Sequence, residues 1–162
     1  METIRRAVID VGTNSIKLLV ADVSGRNVQP VHEESRQTRL GKGFYETHQL
    51  QPESIARTAE AVAEFERIAR EQNSTSTRVI ATSAARDAVN PRELTVAIER
   101  ASGLKTEIIS GGREAEWAFL ICWGPAVALA SAFYEALPKS AKPADATEEP
   151  TQTLPAPPPP PL

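Results

Sequence analysis

Residues 7–20 constrain the fold more than any other stretch. An apolar run, Ala7-Val8-Ile9, leads into Asp10. Val11-Gly12-Thr13-Asn14-Ser15 follows, and then a second apolar run, Ile16 to Val20. Two strand-forming runs joined by so few residues must pair antiparallel, because a parallel pair needs a crossover of a dozen residues or more. The turn also carries the groups an anion needs. Gly12 lets the backbone approach closely, and Thr13, Asn14 and Ser15 offer donors. Successive N–H groups in such a turn form an anion-binding concavity. An aspartate at the strand end, Asp10, can hold a metal ion or the water around one. Gly, Asn and Ser favour an ordinary hairpin turn equally well, so the turn by itself leaves both readings open.

The elements follow in order. Strands are expected over 4–12 and 16–23, with a turn at Ser24-Gly25-Arg26-Asn27. A more polar third strand over 28–39 suits an edge, and Leu40-Gly41-Lys42-Gly43 is a loop. Ile55, Ala59, Val62, Phe65 and Ala69 recur at helical spacing, predicting a helix over 53–71 with Pro52 in its first turn. Arg78 to Ser83 reads as a short strand running into small polar residues. Asn90-Pro91-Arg92-Glu93 reads as a helix start with Asn90 as cap. Leu94, Ala97, Ile98 and Ala101 form its stripe and Gly103 its exit. Glu107 to Ile109 is a last short strand, and Ser110-Gly111-Gly112 opens a helix near Arg113. The order β-β-β-α-β-α-β-α predicts an α/β fold, a five-stranded mixed sheet with helices on its faces. That arrangement is ribonuclease-H-like, one half of an actin-type fold.

Composition narrows the class. A net charge of -3 and a pI near 5.5 speak against a general nucleic-acid binder. Only 5% of residues are aromatic against 41% hydrophobic, so the core must be aliphatic. One cysteine, Cys122, excludes an internal disulfide, and His32 and His48 stand too far apart for a Cys/His metal cluster. A cytoplasmic location fits, and the N-terminus does not read as a signal peptide. Ala118 to Tyr134 is uncharged, but Gly124-Pro125 in its middle favours a packed helix over a membrane span. Residues 138–162 hold nine of the 13 prolines and are expected to be a disordered, proline-rich tail. The expected organisation is a domain over 1–120, a helical segment over 121–137 and the tail. Pro157 to Pro161 could also serve as a ligand for an aromatic-lined groove, on composition alone.

Two further positions carry chemistry. Arg86, in Thr82-Ser83-Ala84-Ala85-Arg86-Asp87, could grip a phosphate in bidentate fashion. Taken alone, a surface arginine paired with Asp87 explains it better. Glu114, in Ser110-Gly111-Gly112-Arg113-Glu114, could act as a general base toward water. Taken alone, a first-turn partner of the helix dipole explains it better. Together with the turn, both lie just beyond the C-terminal ends of strands, the usual crevice of an α/β sheet.

Three spaced motifs in this order resemble one family. They are Val8-Ile9-Asp10-Val11-Gly12-Thr13-Asn14-Ser15, Ala81-Thr82-Ser83-Ala84-Ala85-Arg86-Asp87-Ala88-Val89-Asn90 and Ile108-Ile109-Ser110-Gly111-Gly112-Arg113-Glu114-Ala115. With Leu40-Gly41-Lys42-Gly43 they make residues 6–120 similar to the N-terminal domain of the exopolyphosphatase / guanosine pentaphosphate phosphohydrolase (Ppx/GppA) family, whose fold is actin-like. The resemblance implies a Mg²⁺-dependent phosphoanhydride hydrolase that removes the terminal phosphate of polyphosphate or the γ-phosphate of guanosine pentaphosphate. By motif position it implies Glu114 as the base, Asp10 at the metal, Gly12, Thr13, Asn14 and Ser15 as the phosphate loop, and Arg86 on the terminal phosphate.

The chain departs from that pattern in two ways. Arg113 stands where the family usually has an acidic residue. The family's second phosphate loop, of pattern D-x-G-G-G-S-T-E, has no counterpart in these 162 residues, and neither does its second domain. An Ala/Pro-rich end that begins in mid-helix is the expected product of a shifted reading frame or truncated gene, with a genuine lineage-specific tail as the alternative. Weak or absent activity is then expected, or a non-catalytic module that lends half of a cleft to another chain. The face a second domain would cover would also allow copies to pair.

Overall fold

The computed structural model describes residues 3–24 and 27–110. β1 (Ile4–Val11), β2 (Ser15–Ser24) and β3 (Asn27–Gln37) form a meander. A short helix α1 (Phe44–Thr47), the long α2 (Pro52–Glu71), β4 (Thr77–Ala81), a second short helix α3 (Ser83–Asp87), α4 (Pro91–Ser102) and β5 (Thr106–Ile108) follow. The strands lie in the order β3-β2-β1-β4-β5. β1 pairs antiparallel with β2 and parallel with β4, β2 pairs antiparallel with β3, and β4 pairs parallel with β5. The expected five-stranded mixed sheet is therefore present. The final helix of the expected order, and the divisions near 120 and 138, lie outside the described residues.

The parallel strands dictate where a site can form. β1, β4 and β5 all point the same way, so Val11, Ala81 and Ile108 end at one edge of the sheet. The edge is stitched beyond the strands: Thr82 N–H donates to the Val11 carbonyl at 3.2 Å, and Ile109 N–H to the Ala81 carbonyl at 3.0 Å.

Alternation along β1 sorts its side chains onto two faces. Ala7, Ile9 and Val11 join Ile16, Leu18 and Val20 of β2 in the main core. α2 and α4 close that core, packing on each other and contributing Ile55, Ala59, Val62, Phe65, Ala69, Leu94 and Ile98. All five residues of the predicted α2 stripe are buried. On α4 the stripe is narrower than expected, because Ala101 is exposed. Val8, Leu19, Ala21, Val23 and Ile80 form a second buried cluster on the opposite face of the sheet. A sheet apolar on both faces is what buried parallel strands require.

β3 is the polar outer strand, as its composition predicts. Its register with β2 slips between Val20 and Ala21, which face His32 and Pro30, so Val31 is the extra residue of a bulge.

Two local expectations change. The strand expected over 78–83 stops at Ala81, and Ser83 to Asp87 is a helical turn. Asn90 precedes α4 but its side chain does not cap that helix. Its Oδ1 accepts from Leu50 N–H at 2.9 Å, and its Nδ2 donates to the Leu50 carbonyl at 3.0 Å and to Glu93 Oε2 at 3.1 Å. The carboxamide thus acts as a two-way clamp on another loop. Pro91, which lacks an N–H, and Glu93 in the first turn open α4 without that cap.

Candidate functional site

The loop between β1 and β2 is Gly12-Thr13-Asn14, closed by a hydrogen bond from Gly12 N–H to the Ser15 carbonyl at 3.1 Å. A Cβ on residue 12 would stand 2.9 Å from that carbonyl oxygen, so the turn closes this tightly only around glycine. The carbonyls of the loop are also engaged. Asn14 accepts from Thr38 N–H at 3.1 Å and Arg39 N–H at 2.9 Å, and Thr13 accepts from Gly41 N–H at 2.8 Å. The carbonyls thus bond to the 38–41 segment, which fixes the loop as a rigid tip.

The segment after β4 meets this turn. Thr13 Oγ1 lies 3.0 Å from Ser83 Oγ, across 70 positions of sequence. Ser83 is a site residue that its own motif does not single out; its place just beyond a strand parallel to β1 is the signal that finds it. Arg86 sits on α3, its N–H bonded to the Thr82 carbonyl at 3.0 Å and its guanidinium Nε 2.9 Å from Asp87 Oδ1. The bland expectation for Arg86, pairing with Asp87, is therefore what the resting chain displays. That pair is partly exposed, so it contributes little stability of its own.

Asp10 lies between Ile9 and Val11, which point into the main core, so it projects to the other face beside its register partner Lys17. It is half-buried, with Oδ1 shielded from solvent. Among the described residues no three His, Cys, Asp or Glu side chains gather as a metal cage. One carboxylate next to a phosphate turn still suits Mg²⁺, which commonly takes one or two carboxylates and fills its remaining positions with phosphate oxygens and water. Gly12, Thr13, Asn14, Ser15, Ser83, Arg86 and Asp10 are thus gathered at or beside one edge of the sheet. Glu114 and Arg113, and the helix expected to begin there, lie outside the described residues.

A profile of the Ppx/GppA phosphatase family matches residues 19–128, well over half of the sequence. The chain belongs to this family. The match runs past Leu120, where the motif resemblance was expected to stop. The chain is 40% identical over 129 residues to exopolyphosphatase 2 of Mycobacterium tuberculosis, covering 74% of this chain and 40% of that protein. A crystal structure of the Ppx/GppA member from Aquifex aeolicus superposes with a TM-score of 0.67 at 29% identity, covering 76% of this chain and 41% of that one. An exopolyphosphatase structure from Cytophaga hutchinsonii gives a TM-score of 0.67 at 30% identity, covering 72% and 37%. The fold is accordingly the actin-like one of Ppx/GppA proteins, and the chain spans about two fifths of the length of these relatives. Among the described residues no helix is long and apolar enough to cross a membrane.

Proposed function

We propose that this chain is the phosphate-gripping half of a phosphoanhydride hydrolase of the exopolyphosphatase type. The observation that carries the reading is the 3.0 Å contact between Thr13 and Ser83, which joins the β1 turn to the segment bearing Arg86. The names of the M. tuberculosis and C. hutchinsonii relatives favour inorganic polyphosphate as substrate, with guanosine pentaphosphate as the alternative.

In this reading the terminal phosphate settles on the turn and the donors of Thr13, Asn14 and Ser15, and Gly12, its own N–H given to the Ser15 carbonyl, lets the backbone come close. Arg86 releases Asp87 and turns to the phosphate, gaining a partner of higher charge. Glu114 takes a proton from the attacking water as the terminal P–O–P bond breaks. Asp10 would hold Mg²⁺, whose chemistry when bound would be neutralisation of phosphate charge. The single cysteine suits a reducing, cytoplasmic setting, and within an acidic balance a polyanion needs a local basic pocket.

The absence of a second phosphate loop from these 162 residues favours a further reading, phosphate binding without turnover. One wall of a cleft excludes water poorly and clamps half of the substrate. Phosphate release from polyphosphate with Mg²⁺ separates the two. Slow release that drops at least about tenfold in Glu114→Gln supports hydrolysis. Equal release by wild type and Glu114→Gln, with polyphosphate still bound, leaves the binding module.

A further inference from the structure

Beside the β1 turn lies a cleft of about 270 Å³ lined by Asn14, Gln37, Arg39, Gly41 and Lys42. Its lining holds two cations, two carboxamides and no carboxylate. That is unusual here, because Asp and Glu total 21 against 18 Lys and Arg. Arg5, Arg36, Arg67, Arg70, Arg78 and Arg86 each meet a carboxylate. Among the described residues, the Arg39 and Lys42 side chains have neither an ion pair nor a hydrogen bond. Two like charges held together without a counter-charge repel, so the cleft gains most from an anion.

The cleft is also rigid. Arg39 adopts a left-handed backbone, φ 51°, which costs a non-glycine residue about 1 kcal/mol or more. The bonds from Thr38, Arg39 and Gly41 to the turn hold it there, together with Lys42 N–H donating to the Arg39 carbonyl at 3.0 Å. Asn14 belongs to both the turn and the cleft. An anion on the turn and an anion in the cleft are therefore immediate neighbours.

We propose that the cleft is a second anion subsite, taking the inner phosphates of a linear polyphosphate whose terminal phosphate lies on the Gly12–Ser15 turn. It rests on the phosphate-turn reading above. The lining favours an inorganic chain over a nucleotide. Amide, guanidinium and ammonium donors suit repeated phosphate oxygens, and no aromatic or aliphatic side chain is present to receive a base. Orthophosphate reaches only one of the two subsites, so affinity should climb with chain length.

The test uses the full 162-residue chain and calorimetric titration with orthophosphate, tripolyphosphate, long-chain polyphosphate and guanosine pentaphosphate. Lys42→Gln removes one cation at an ordinary backbone position. Arg39→Asn removes the other, and Asn tolerates the left-handed conformation. Each variant should weaken long-chain polyphosphate roughly tenfold, the loss of one charge-assisted contact. Orthophosphate on the turn touches neither cation directly and should weaken less than the long chain, by roughly threefold at most. Unchanged long-chain affinity in both variants, while Thr13→Ala still weakens binding, overturns the subsite and leaves the turn reading standing. No polyphosphate binding by wild type overturns both. An equal loss for guanosine pentaphosphate overturns the preference for an inorganic chain. Matching thermal midpoints for wild type and Lys42→Gln tie any loss to the charge.

Discussion

The turn after β1 and the segment after β4 stand side by side at one edge of the sheet, held by different means. The turn is fixed by main-chain hydrogen bonds and by close approaches that only glycine permits. The Thr82 to Asn90 segment is fixed at its far end by a side chain, Asn90 straddling Leu50, with Val89 N–H donating to the His48 carbonyl at 2.9 Å. A main-chain lattice tolerates changes of side-chain chemistry but not of bulk. A side-chain clamp tolerates bulk nearby but not the loss of one carboxamide. The phosphate-facing part of this edge is thus sensitive to volume, and its support to hydrogen-bonding capacity.

Gly41→Ala gives the largest break in this contrast. Its Cβ would lie 2.4 Å from Thr13 Cγ2, and a β-branched threonine packed at a turn has little room to give. The loop should lift from the turn, with a loss of about 1–3 kcal/mol in urea unfolding. Binding of both orthophosphate and polyphosphate should fall together. If they do not, the turn does not depend on its neighbour for shape.

Asn90→Ala comes next. It removes hydrogen bonds at a half-buried site and should cost about 1–2 kcal/mol. Asn90→Asp keeps an acceptor for Leu50 N–H but sets a carboxylate against the Leu50 carbonyl and Glu93, and should cost at least as much. Orthophosphate affinity of the folded protein should barely move, since the turn keeps its own lattice. A large drop in orthophosphate affinity would show that the two regions are coupled.

The smallest effect concerns acid, far from both regions. Arg5 holds the Asp22 carboxyl below its ordinary range through a hydrogen bond, and Arg36 does the same for Glu64. A carboxylate with a depressed folded pKa contributes stability above its unfolded pKa, near 4, and loses it as pH falls through the folded value. Asp22→Asn should therefore flatten the decline of thermal midpoint below about pH 4 and leave the midpoint ratio of Gly41→Ala to wild type unaltered.

Where the sequence was legible, the signal was local. The hairpin follows from two apolar runs and a short glycine turn, and α2 from five apolar residues on one face. The outer position of β3 follows from its charges. What was not legible depends on contacts between distant positions. Nothing around Asn90 announces that its carboxamide serves Leu50, and a cap residue looks the same in sequence. Nor does the 37–42 segment read as the wall of a cleft until three backbone bonds fold it onto residues 13 and 14. Arg86 carried both of its readings from the start, since a guanidinium that can hold a phosphate can equally hold the carboxylate next to it. The short helices at Phe44 and Ser83 escaped because four or five residues are too few for a period to show.

The irregular outer strand has a consequence for how copies of this chain can meet. An outer strand offers its free main-chain groups as a template on which a neighbouring molecule can add a strand, and so on without limit. β3 discourages that growth. Pro30 supplies no N–H, the bulge at Val31 breaks the spacing, and His32, Glu33, Glu34 and Arg36 crowd the line with charge. Among the described residues β3 is thereby a poor template for a strand from a second copy.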